Sequence, residues 1–238
     1  MSNRAQQGRF ITFEGLDGCG KTTQLEKLAT VLRAEGIDAL TTREPGGTEI
    51  GERIRSVLLD SRTAGLDPWT ELALMFASRA QQLAQVIRPA LSAGRWVLCD
   101  RFTDSSEAYQ GGGRQLGSEP VLELHRIICQ DFWPDLTILM DSEVDHSVKR
   151  ARRRNTAVID SSVPDENRFE KESYSFFARV RDAYLAIAKR EPRRVAMVDA
   201  RRPPETVHHE IVGIVREQLL RDYQPIRTHS QLRSGTEA

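Results

Sequence analysis

The sequence predicts an α/β protein built as three layers, a five-stranded parallel sheet with helices on both faces. Three observations carry that prediction. Short runs of β-forming residues recur along the 238-residue chain, and helical spacing of apolar residues follows each one. A glycine-rich loop joins the first run directly to the first helix. No linker or internal repeat interrupts the pattern, so residues 9–221 read as one domain between a flexible N-terminus at 1–8 and a polar tail at 222–238.

The elements follow in order. Residues 10–13 are the first apolar run, bounded by Gly15. Leu25, Leu28, Ala29 and Leu32 give residues 22–34 a helical face, and Gly36 stands where a helix stops. Residues 39–42 form a second strand, and Ile50, Ile54, Val57 and Leu58 mark a helix over 49–59. A long helix is expected over 69–93, with a kink or break at Pro89. Strands at 96–99, 136–140 and 195–198 alternate with helices at 121–130, 144–154, 173–189 and 204–220. Such alternation implies βαβ units and a parallel sheet.

Composition narrows the function classes. Hydrophobic residues make up 39% and charged residues 29%, with no apolar run of membrane-spanning length, which excludes an integral membrane protein and wholesale disorder. Thirty-four basic residues balance thirty-four acidic ones, without the basic excess of a general nucleic-acid binder. A small anionic ligand remains open, since it needs only a local cluster of positive charge. Cys19, Cys99 and Cys129 form neither a disulfide framework nor a zinc signature, and the start of the chain has no apolar signal segment. The expectation is a reduced, cytoplasmic protein.

The segment Gly15-Leu16-Asp17-Gly18-Cys19-Gly20-Lys21-Thr22 fits G-x-x-x-x-G-K-[ST] at every fixed position, with Thr23 next on the helix. Glycines let backbone N–H groups turn inward around a phosphate, and the helix start adds its own N–H groups and dipole. Lys21 brings a cation to the β- and γ-phosphates, and the Thr22 hydroxyl suits Mg²⁺. This is the P-loop of nucleoside triphosphate-binding proteins, and its placement after a strand and before a helix matches that use.

Asp100 and Arg101 follow the third strand directly, at the end where parallel sheets bind ligands. Asp100 suits the metal shell, and Arg101 suits a bidentate grip on phosphate. Arg43, in Thr42-Arg43-Glu44-Pro45-Gly46-Gly47, reaches the same end of the second strand as a second phosphate clamp. Lys149, Arg150, Arg152, Arg153 and Arg154 form a basic cluster that cannot share one helix face, and it precedes the weakly patterned stretch 155–167. The expectation is a closing lid over residues 149–170, with Arg152, Arg153, Arg154 and Arg168 as its candidate charges.

Taken together, FEGLDGCGKTTQ, TREPGGTEIGERIRSVLLD, ELALMFASRAQQ, VLCDRFTDSSEAYQGGGR, PDLTILMD and RFEKESYSFFARVRDAYLAIA resemble the bacterial thymidylate kinases, P-loop nucleoside monophosphate kinases, over nearly the whole chain. The resemblance implies ATP-dependent phosphorylation of dTMP to dTDP on the way to dTTP, with Mg²⁺, in a homodimer. By position, Phe76 resembles the aromatic that stacks on thymine and Arg79 the residue that hydrogen-bonds it. Ser105, Ser106 and Gln110 fall in the base-side segment, and Tyr109 matches the ring that crowds the sugar C2′. Asp17 matches the acidic loop residue near the acceptor, and Arg101 the acceptor-phosphate clamp. Read from the residues alone, Phe76 is a core side chain.

Cys19 takes the small P-loop position, so the chain resembles the lid-arginine type, with Arg153 as catalytic candidate and Arg152 and Arg154 on ATP. The stretch between Arg154 and Arg168 is longer than the family's short lid and carries Asp160, Asp165 and Glu166, which leaves the choice among the three arginines open. The competing readings are a kinase for another nucleoside or nucleotide and a nucleotide-dependent switch. A switch would carry guanine-reading residues, and no Asn-Lys-x-Asp run is present.

Overall fold

The computed structural model describes residues 8–63, 65–156 and 168–221. The expected N-terminal segment except Gly8, most of the expected lid insertion (157–167) and the polar tail lie outside the described residues. So do the side chains of Arg152 and Arg154.

In chain order the elements are β1 (Phe10–Glu14), α1 (Lys21–Ala34), β2 (Ala39–Arg43), α2 (Glu49–Leu59), α3 (Pro68–Gln82), α4 (Arg88–Ser92), β3 (Trp96–Asp100), α5 (Thr103–Ser106), α6 (Ser118–Leu124), β4 (Leu136–Asp141), α7 (Val144–Thr156), α8 (Tyr174–Arg190), β5 (Val195–Asp199) and α9 (Pro204–Val215). The five strands run parallel in the order β2-β3-β1-β4-β5. β1 is central and every residue of FITFE is buried, as expected of a parallel strand covered on both faces. One face packs Leu25, Leu28 and Leu32 of α1 and Val207, Ile211 and Val215 of α9 against Ile11, Phe13 and Ile138. On another side Leu72 and Phe76 of α3, with Leu83 and Ile87, close over Val97 and Cys99. α8 builds a further cluster with Phe176, Val180 and Tyr184 against Tyr109 and Leu139.

Local chemistry sets the helix starts. Thr48 accepts from the Gly51 N–H at 2.9 Å to cap α2, and Asp67 accepts from the Trp69 and Thr70 N–H groups to cap α3. α1 has no side-chain cap and begins after Gly20, which leaves its first N–H groups available to an anion.

Two expectations are corrected. Of the expected kink or break at Pro89, the break is absent, and the helix from α3 runs on through the proline. A π turn at Leu83–Ile87 carries it into α4, with Leu83 and Arg88 both in the right-handed helical region. The wider turn ahead of proline accommodates its missing N–H. Residues 103–113, for which no helix was expected, form α5 and a π turn at Glu107–Gly113. Gly111, Gly112 and Gly113 are weak helix formers, so the segment depends on its packing against α8.

That packing is tight. A Cβ at Gly113 would lie 2.6 Å from the Phe176 ring and 2.8 Å from Val180 Cγ2. Gly113→Ala is therefore expected to cost about 1–3 kcal/mol through overpacking. Gly213, within α9, has open space around it and no left-handed backbone, so Gly213→Ala is expected to gain about 0.5–1 kcal/mol. Thermal melts of the two variants should move in opposite directions.

Candidate active site

The sheet order brings the carboxyl ends of β1, β2 and β3 side by side, because Phe13 stands opposite Asp100 and Arg43 opposite Asp100 in register. The loops that leave those ends form a continuous cleft with two compartments. The larger, about 800 Å³, is lined by Gly18, Gly20, Lys21, Thr22 and Thr23 of the loop, with Arg43, Asp100, Arg101 and Arg150 around them. The smaller, about 170 Å³, lies between Arg79, Arg101, Ser105, Ser106, Tyr109 and Gln110. Asp17, Glu44, Arg55 and Arg101 border both compartments.

In the loop, Gly15 has φ 133° and its Cα sits so near the Met140 carbonyl that a Cβ would come within 2.5 Å of it. Leu16 and Cys19 turn into the core. Burial raises the Cys19 thiol, against the pull of Lys21 and Arg101, so it stays protonated. Lys21 Nζ donates to the Gly15 and Leu16 carbonyls at 3.1 and 2.9 Å and lies 3.9 Å from Asp17. Thr22 Oγ1 donates to Asp100 Oδ2 at 2.6 Å, which joins β3 to the start of α1.

Arg101 sits where the compartments meet. Its backbone is left-handed, φ 74°, and its N–H donates to the Phe13 carbonyl. Its guanidinium donates to Asp17 Oδ1 at 2.7 Å, Ser105 Oγ at 2.8 Å, Tyr184 OH at 3.1 Å and Tyr109 OH at 3.2 Å. Burial opposes its charge, but Asp17 and its other neighbours hold the pKa well above the ordinary arginine value. Burial likewise raises the Tyr109 hydroxyl, so that ring is neutral.

The smaller compartment is walled by buried ion pairs. Arg79 Nε donates to Glu44 at 2.7 Å, and its Nη2 donates to the Phe102 carbonyl and to Ser106 Oγ at 3.1 and 2.9 Å. Gln110 Nε2 donates to Glu71 at 2.8 Å. Glu71 is fully buried and also meets Arg114 and Arg168, at 3.2 and 2.7 Å.

Most of the expected residues converge here, and a few do not. Phe76 is fully buried and does not line the smaller compartment; the Arg79 guanidinium lies 4.5 Å over its ring, so that face is already covered. Arg43 stands in the larger compartment, paired with Glu52 at 3.0 Å. Arg168 is corrected: it is no free lid charge but a buried partner of Glu71, and its Nε also donates to the Leu58 carbonyl. Arg153 is exposed on α7, and among the described side chains of that helix the basic one that lines the larger compartment is Arg150.

Glu14, Glu44, Arg55, Glu71 and Tyr184 escaped the sequence reading. Glu14 had left a signal: a lone carboxylate ends an otherwise apolar strand immediately before the loop.

The family model described as Thymidylate kinase matches residues 13–211. A thymidylate kinase of Trichlorobacter lovleyi is 49% identical over 211 residues, covering 88% of this chain and 98% of its own. One from Methylobacillus flagellatus is 46% identical, covering 89% and 98%. The crystal structure of thymidylate kinase from Ehrlichia chaffeensis superimposes with a TM-score of 0.69 at 32% identity, covering 88% of this chain and 99% of that one.

The placement of Arg168 yields a test. Arg168→Ala leaves Glu71 with one fewer buried cation, and breaking a buried pair costs about 3–5 kcal/mol. Urea unfolding should show a loss of that order, whereas a lid charge at the surface would leave stability unchanged.

Proposed function

The chain belongs to the thymidylate kinase family, and we propose that its two compartments divide the substrates, the ATP phosphates lying over the loop and dTMP in the smaller cavity. The reaction moves the γ-phosphoryl group of ATP to dTMP and yields ADP and dTDP. One observation carries the base assignment. Arg79 Nη1 and Gln110 Oε1 are buried without a hydrogen-bond partner. The amide orientation of Gln110 is fixed, because Glu71 can only accept and so must face Nε2. Both side chains line the smaller cavity, and we take this spare donor and spare acceptor as its base-reading pair. Thymine presents a carbonyl oxygen beside an N–H, the complementary pair. Cytosine presents the reverse, and leaving such buried groups mispaired costs affinity.

The acceptor phosphate is already an oxyanion, so the step needs no strong general base. It needs in-line positioning and neutralisation of charge on the transferring group. Lys21 and the α1 N–H groups hold the donor phosphates, and Arg101 holds the acceptor phosphate with Asp17 fixing its guanidinium. Arg55, which borders both compartments, adds a further cation. Tyr109, tied by its hydroxyl to Asp17 at 3.2 Å, holds its ring where a ribose 2′-hydroxyl would collide. Arg150, with Arg153 and its neighbours on α7, supplies charge from the lid side.

Mg²⁺ suits this donor set. Thr22 and Asp100 offer hard oxygens beside the phosphate compartment, and among the described residues no cluster of three or more His, Cys, Asp or Glu forms a protein cage. That is the setting of an ion held mainly by phosphates and water. When bound, it neutralises phosphate charge as a Lewis acid.

Assembly as a homodimer is read from α2 and α3. Leu72, Leu83 and Ile87 are buried in the core and give a partner no surface. On α2 and α3, Ile50, Val57 and Trp69 are exposed, and so are Ala73 and Ala77. An apolar face with small residues suits close approach of a second copy. The three cysteines are free and buried, in keeping with a reducing compartment, and we assign the enzyme to the cytoplasm. Among the described residues no helix is long and apolar enough to cross a membrane.

A nucleotide acceptor panel with ATP and Mg²⁺, read by ADP release, tests the function. dTMP should exceed dCMP by about a hundredfold or more in kcat/KM, and Gln110→Ala should narrow that gap. Equal rates for the two acceptors would contradict the base assignment. For assembly, Ala77→Glu should convert a dimer into a monomer by light scattering. A wild-type protein that is monomeric at micromolar concentration would contradict the dimer.

A further inference from the structure

Glu14 lies behind the site. It is fully buried at the end of β1, and it touches neither compartment. Its Oε1 accepts from the Phe102 N–H at 2.7 Å. Its Oε2 accepts from Ser105 Oγ at 2.5 Å and from Tyr184 OH at 3.0 Å. Those two hydroxyls are also the ones that accept from Arg101 Nη1, at 2.8 and 3.1 Å. They lie 2.8 Å from each other. β1, α5 and α8 therefore meet in one small polar cluster, with a carboxylate at one end and the phosphate-facing guanidinium at the other.

The direction of the protons in that cluster is constrained. A guanidinium only donates and a carboxylate only accepts. With Glu14 ionised, the Ser105 and Tyr184 hydroxyls accept from Arg101 and pass their protons toward it. From these contacts we propose that Glu14 is a positioning residue for Arg101, acting through Ser105 and Tyr184 to hold the guanidinium toward the acceptor phosphate. If the carboxylate is replaced by an amide, its N–H group needs an acceptor. One hydroxyl must then accept from the amide and turn its proton toward the other hydroxyl or the arginine, which adds a donor on the Arg101 side. Arg101 loses an acceptor on that side and its guanidinium is freed to turn.

The groups around Glu14 support this reading. Asp104 on α5 is the acid whose charge acts on Glu14, but Arg194 holds it in a bidentate pair at 2.7 and 3.0 Å. Arg101 is the cation that acts on Glu14, and among the described residues no arginine or lysine is bonded to it directly. Burial and Asp104 push the Glu14 carboxyl up to about 7 while Arg101 and its hydrogen bonds pull it down. A fully buried acid with three neutral donors and no direct ion pair is costly to keep. The chain nevertheless places one here, where both hydroxyls it orders lead to a single arginine.

The inference rests on the assignment of Arg101 to the acceptor phosphate, and its test separates the two. Affinities for dTMP and for thymidine, which lacks the phosphate, are measured by calorimetry on the wild type and on Glu14→Gln and Tyr184→Phe. Glu14→Gln keeps an acceptor for the Phe102 N–H. Loss of one charge-assisted hydrogen bond corresponds to about a tenfold change. Glu14→Gln should therefore weaken dTMP about tenfold and leave thymidine unchanged. Tyr184→Phe, which removes one branch and keeps the ring, should shift dTMP in the same direction and serves if the first variant does not fold. Variants that retain the wild-type preference for dTMP, or that lose dTMP and thymidine alike, overturn the proposal. A wild type that binds thymidine as tightly as dTMP overturns the Arg101 assignment along with it.

Discussion

The site depends on holding one guanidinium in place. Arg101 occupies a backbone region that costs an L-residue about 1–2 kcal/mol, and its left-handed φ turns the chain sharply at the end of β3. The bends and bonds around it come from separated parts of the sequence: Asp17 from the loop, Ser105 and Tyr109 from the segment after β3, and Tyr184 from α8. β1 and β3 must be neighbours for this to occur, since Arg101 N–H closes on Phe13 and Glu14 closes on Phe102. The strand order is thus as much a part of the candidate site as the arginine itself.

The same logic explains how a chain with no net charge binds two anionic substrates. Many of its arginines are spent internally. Glu44 holds Arg79, Glu71 holds Arg114 and Arg168, Asp104 holds Arg194, and Glu107 holds Arg190. Each of these acids is buried. Such pairs add little net stability, because desolvation offsets attraction, but they fix side-chain directions within a core. Around the smaller compartment that fixing leaves one donor on Arg79 and one acceptor on Gln110 for a ligand. Lys21, Arg101, Arg150 and Arg55 stand at the cleft among as many acids, so the cations serve the substrates through where they are held rather than through an excess of local charge.

The strands and the phosphate loop were legible in the sequence because their signals are local. β1 is an unbroken apolar run, and G-x-x-x-x-G-K-T defines its own backbone. Helix α2 matches the apolar spacing over residues 49–59. What escaped was set by tertiary contact. The helix at Thr103–Gly113 ends in three glycines and forms because α8 packs onto it. Arg168 read as a surface charge because sequence does not show that Glu71, a hundred residues away in the chain, waits for it in the core. The burial of Phe76 followed the plain helical pattern of its own neighbourhood, and the stacking role came only from resemblance.

Steady-state kinetics of Arg101→Lys test the account most directly. Lysine keeps the positive charge but cannot hold Asp17, three hydroxyls and a phosphate with one planar fork. If Arg101 is the organising group, kcat/KM for dTMP should fall by about a hundredfold while KM for ATP changes little. A variant with near-wild-type kcat/KM for dTMP would show that charge alone suffices, and would contradict the central place given to this guanidinium.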